Sequence, residues 1–175
     1  MTLKFIPVMF LFIALSCSSF ELKTTGNHEN LRRYKNPDIN EIIIGGWEHI
    51  QKNNYEWGGL DFKRLIQKDY ADYDILFGAG MAQYYQGLYS ESVNFFTMAL
   101  KENPEHFEAL YYRANAYMQL GNRSESLKDF KKIISIEYSR PLVCGLYFSN
   151  NDIATENILK NRKHEARQYL KGNIP

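Results

Sequence analysis

Few residues of this 175-residue chain are of a type that does chemistry, and their spacing argues against catalysis. His28, His49, His106 and His164 lack metal-ligand spacing and have no cysteine partner nearby. No His-Glu-x-x-His, Gly-x-Ser-x-Gly or phosphate-cradling glycine motif occurs. Gly78-Ala79-Gly80 reads as close helix packing, and Asn122-Arg123-Ser124 matches a glycosylation acceptor but falls where a turn is expected. Of the two cysteines, Cys144 lies in the apolar stretch Leu142–Phe148 and reads as a buried, inert thiol. These residues imply a chain that is not an enzyme and uses no cofactor or metal.

The remaining cysteine is placed differently. Cys17 follows an apolar run, Phe5 to Leu15, preceded by Lys4. That run is too short to cross about 30 Å of hydrocarbon and has the length of a signal-peptide core. Ala14-Leu15-Ser16-Cys17 resembles the lipobox of bacterial lipoproteins, with Leu15 displaced by one position from the usual pattern. The resemblance implies export, removal of residues 1–16 and acylation of Cys17, which would anchor the chain in a cell-envelope membrane. Ala14-x-Ser16 also fits ordinary leader cleavage, which would instead release a soluble periplasmic or secreted protein. Residues 17–38 then read as a polar tether, reaching on the order of 25 Å as a coil.

Composition narrows the rest. Hydrophobic content of 45% and thirteen tyrosines predict a folded, aromatic-rich domain. The net charge of +1 gives no basic footprint for nucleic acid. Charge is nevertheless uneven: residues 39–106 carry ten acids and five bases, and residues 107–175 carry seven acids and eleven bases. That polarity could orient a second copy head to tail, so self-association stays open.

The elements that organise the chain are repeats. Gly46, Gly80 and Ala114 stand 34 residues apart, as do Phe62, Phe96 and Phe130, and Gly58, Ser92 and Ser126. Each unit holds two short apolar periodicities of helical type, separated by Lys52-Asn53-Asn54, Gln86-Gly87-Leu88 or Leu120-Gly121-Asn122. Small residues in both helices would let them approach closely, with the Phe filling the seam. A pair of such short helices cannot bury its apolar face alone, so the units must stack.

The pattern resembles the tetratricopeptide repeat (TPR) family, in units 39–72, 73–106 and 107–140. It is fullest in 73–106, which ends in Asn103-Pro104, and loosest in the first unit. There Gly45-Gly46 and Gly58-Gly59 each weaken a helix, by up to about 1 kcal/mol per Gly. Arg113 and Gly45 stand where the family commonly has an apolar residue. Residues 141–175 read as a C-terminal capping helix pair with a basic outer face. The resemblance therefore implies an all-α helix–turn–helix array.

It also implies a concave groove lined by the first helix of each pair. Carried onto this sequence, the ligand-facing positions include Ile43 and Trp47, then Phe77, Met81, Tyr84 and Tyr85, then Tyr111, Asn115 and Met118. An aromatic, apolar groove of this kind would dock a peptide segment of another envelope protein. Arrays that clamp a C-terminal carboxylate use Lys, Arg and Asn there, and here only Asn115 has a suitable type and position.

Overall fold

The computed structural model describes residues 34–137 and 152–172, which form seven α-helices: α1 Pro37–Gln51, α2 Tyr55–Gln67, α3 Tyr73–Tyr85, α4 Tyr89–Glu102, α5 Phe107–Gln119, α6 Arg123–Ser135 and α7 Asp152–Leu170. The expected leader, Cys17, Cys144 and the first member of the capping pair lie outside the described residues. The helices α1/α2, α3/α4 and α5/α6 are three stacked helix–turn–helix units, in accord with the all-α array expected from the 34-residue spacing.

The turns repeat as faithfully as the helices. Asn53, Gly87 and Gly121 occupy the same column of the repeat and all have positive φ (60°, 78° and 76°). In each, the following amide reaches back across the helix end: Asn54 N to His49 O at 2.8 Å, Leu88 N to Gln83 O at 2.9 Å, Asn122 N to Tyr117 O at 2.8 Å. This is the Schellman termination, which satisfies the last carbonyls and needs a residue at ease in the left-handed region. The helix starts are capped less uniformly. Asp72 accepts from Ile75 N at 3.1 Å and His106 Nδ1 accepts from Ala109 N at 3.0 Å, each opening the first helix of its unit.

The core is a row of phenylalanines set against small residues. Phe62, Phe96 and Phe130 are completely buried. Phe62 lies between Gly46 of its own unit and Gly78 of the next, where an added Cβ would come within 3.0 and 2.5 Å of the ring. A Cβ on Gly80 would come within 2.5 Å of Phe96. The small residues at fixed intervals thus exist to admit these rings. In the first unit a Cβ on Gly58 would lie 2.9 Å from the Gly46 carbonyl, so a glycine expected to weaken α2 instead sets its contact with α1.

The domain begins earlier than expected. Residues 34–38 are not tether: Pro37 opens α1 behind Asn36, whose side chain accepts from Asp38 N. Tyr34 donates its hydroxyl to Asp72 Oδ2 at 2.6 Å and its ring meets Tyr70 edge-on at 5.0 Å. Tyr70 therefore helps hold the chain's entry into the array.

Candidate functional site

The first helices of the three units line up side by side, and the residues that the repeat register assigns to a groove divide sharply. Ile43, Trp47, Phe77, Met81, Tyr111 and Asn115 are at most 5% exposed. They do not line an open groove. The reason is size: large side chains at these positions meet across neighbouring helices and fill the space a ligand would need. Trp47 approaches the rings of Phe62 and Phe77 at 5.3 and 6.0 Å, and Phe77 in turn meets the imidazole of His106 at 4.7 Å.

Over the third unit the floor is closed by α7. That helix packs chiefly on α6 and also touches α5, the position a further first helix would take. Tyr169 stacks on Phe130 with ring centres 4.5 Å apart, and its hydroxyl donates to Asn115 Oδ1 at 3.3 Å. Arg162 reaches both oxygens of Glu108 from Nε at 3.3 Å and lies over the ring of Tyr111 at 3.9 Å. Asn115 Nδ2 also donates to the Tyr111 carbonyl at 2.8 Å. Glu108, Arg162 and Asn115 thereby each have a partner inside the protein.

Burial sets the electrostatics here. It raises the Glu108 carboxyl above its ordinary range, with the Arg162 guanidinium pulling the other way. Burial likewise pushes the Tyr111 and Tyr112 hydroxyls up, so both stay protonated. His106 is lowered to about 4 by burial, hence neutral, with Nδ1 engaged as the α5 cap. These shifts belong to packing and have no reactive partner around them.

What remains open is the rim at the ends of the first helices. Tyr84, Tyr85 and Met118 are half-buried, and Gln119 beside Met118 is exposed. Tyr84 packs edge-on to Tyr85, Tyr89 and Tyr112 at 5.3–5.6 Å, while Tyr85 stacks on Tyr55 at 4.8 Å and shares a 3.2 Å hydroxyl contact with Tyr112. The result is a braced aromatic ledge, partly open to solvent and suited to a peptide's apolar side chains.

Sequence reasoning missed the bracing residues. Arg113, noted as a departure, grips Asp129 through Nε and Nη2 at 2.8 and 2.7 Å and reaches Thr97 Oγ1 at 3.0 Å. The signal was present, since Asp129 lies one helix away in the same unit. Glu108–Arg162 had no such signal, because 54 residues separate the partners. Among the described residues no group of three or more His, Cys, Asp or Glu is placed to hold a metal ion.

Residues 107–139 match the tetratricopeptide repeat family. The chain is 30% identical over 121 residues to Hsp70-Hsp90 organizing protein 3 of Arabidopsis thaliana, covering 63% of this chain and 22% of that protein. It is 32% identical over 83 residues to Hsp70-Hsp90 organizing protein 2 of the same plant, covering 44% of this chain and 14% of that protein. The chain thus spans about a fifth or less of the length of these relatives. The match and the helical array together support the TPR reading, and such repeats are modules of protein–protein interaction.

Proposed function

We propose that this protein is a docking module without catalytic activity, held at a bacterial envelope membrane by acylation of Cys17, that binds a segment of another envelope protein along the rim of its first helices. The observation that carries the docking reading is the rim itself: Tyr84, Tyr85 and Met118 stay partly open while the floor beneath them is filled. Rigid aromatic side chains with little entropy left to lose suit an interface anchor.

The relatives are named for organizing Hsp70 and Hsp90, but carboxylate capture of a chaperone tail is poorly served here. Asn115 is engaged by Tyr111 and Tyr169, Arg113 by Asp129, and Arg162 by Glu108. No cation or amide is left at those places to clamp a carboxylate. An internal peptide segment, recognised by apolar and aromatic contact, fits the rim better.

Two measurements test the reading. A photo-crosslinker in place of Gln119 is expected to trap a protein that one in place of Lys128, on the opposite helix of the unit, does not; equal capture at both places refutes rim docking. Palmitate labelling that disappears in Cys17→Ala, with release from membranes, is expected for the anchor. An unlabelled wild type leaves the soluble periplasmic or secreted protein.

A further inference from the structure

The outer face of α2 breaks the pattern set by its equivalents. Trp57, Leu60, Arg64 and Lys68 follow one another at helical spacing, and all four are exposed. At the matching positions α4 and its cap region carry Glu91, Asn94, Met98 and Glu102, and α6 begins with Glu125, Lys128 and Lys132. Where later units put a glutamate, the first puts an indole that is 62% exposed, beside a leucine that is 49% exposed. Large apolar side chains this open in a matched pair call for a partner.

The stripe has its own polarity. Its N-terminal half is apolar, its C-terminal half cationic, and it contains no acid. Arg64 is only loosely engaged, with Nη1 3.9 Å from Asp61 Oδ1. Tryptophan favours the boundary between hydrocarbon and water, and Arg and Lys favour anionic headgroups. A protein partner would need its own matching acid and apolar pocket. A lipid surface supplies both at any point.

We infer that this stripe rests on an anionic lipid surface, orienting the array on the membrane that holds it. The inference depends on the proposed anchor. Along the sequence the first unit follows Cys17 most closely, so the unit nearest the anchor is the one that carries the stripe. Two bases and two apolar side chains hold weakly alone, but tethering converts their contact into an intramolecular event at high effective concentration.

The chain has two tryptophans, and Trp47 is buried, so Trp57 reports on the stripe. The full chain is mixed with vesicles of phosphatidylethanolamine and phosphatidylglycerol carrying brominated acyl chains. Flotation reads attachment, and quenching of emission reads the stripe. Quenching at least twofold greater in wild type than in Trp57→Phe is expected, with Arg64→Gln/Lys68→Gln falling toward the Trp57→Phe value while circular dichroism stays unchanged. Chain that floats with vesicles yet quenches like Trp57→Phe overturns the inference and leaves the anchor standing. Chain that stays off the vesicles overturns both. Equal quenching on phosphatidylcholine alone overturns the anionic assignment, and an emission shift with protein concentration in the absence of vesicles assigns the stripe to a second copy instead.

Discussion

Arg162 of α7 lies between the carboxylate of Glu108, 3.3 Å from Nε, and the ring of Tyr111, 3.9 Å from its guanidinium carbon. One long side chain therefore fastens the last helix to the third unit through a salt bridge and a cation–π contact. Glu108 is 1% exposed, so removing its partner strands a buried charge. Arg162→Met is expected to destabilise the fold by about 3–5 kcal/mol in chemical denaturation, as is usual for breaking one side of a buried pair. Glu108→Gln/Arg162→Met should recover part of that loss, because the stranded group is then neutral. A double variant no better than the single would show that Arg162 acts mainly through packing on Tyr111.

Glycines of the array differ in what they permit, and substitution should separate them. A methyl on Gly80 would come within 2.5 Å of the Phe96 ring, which is buried on all sides, so Gly80→Ala is expected to cost about 1–3 kcal/mol by overpacking. On Gly45 the nearest atom is Asp61 Oδ2 at 3.8 Å, an ordinary contact. Gly45→Ala should therefore stabilise the protein, by up to about 1 kcal/mol, through helix propensity and a less flexible unfolded chain. Urea midpoints of the two variants should move in opposite directions.

His106 predicts a pH dependence whose sign can be worked out. Its folded value of about 4 lies below the ordinary 6.5 because burial disfavours the imidazolium. The unfolded chain takes up a proton below pH 6.5 and the folded protein does not until pH 4, so stability falls as pH drops through that window. The difference corresponds to about 3 kcal/mol for a fully buried group. His106→Asn, which can still cap Ala109 N, should flatten the midpoint profile between pH 6.5 and 4. An unchanged slope would assign the effect to carboxylates elsewhere.

The three units were legible because their contacts are local. Gly46 with Phe62, and the turn columns of Asn53, Gly87 and Gly121, recur every 34 residues and lie within a single unit, so one sequence repeats its own rule. The groove was not legible in the same way. The register that faces Ile43, Trp47 and Phe77 toward a ligand is a property of helix direction, while their burial depends on how near the adjacent helix comes and how large its side chains are. Position alone carries neither quantity. The docking of α7 was hidden for a related reason: Tyr169 stacks on Phe130 after the repeat phase has been lost, with no spacing to announce it.

Tyr111 and Met118 make the last prediction, since the repeat register gives them the same role and the structure does not. Tyr111 is covered by Arg162, and its hydroxyl is held protonated by burial, so Tyr111→Phe should leave partner recovery by crosslinking from Gln119 within about twofold of wild type. Met118 is half-open, next to exposed Gln119 and on the rim with Tyr84 and Tyr85. A charge there would be left unpaired against an apolar partner surface, so Met118→Asp is expected to reduce recovery by about tenfold or more. Because its side chain is already partly solvated, the same change should shift the denaturation midpoint little. Loss of recovery in Tyr111→Phe with retention in Met118→Asp would reverse the assignment, and would mean that α7 lifts from the third unit when the partner binds.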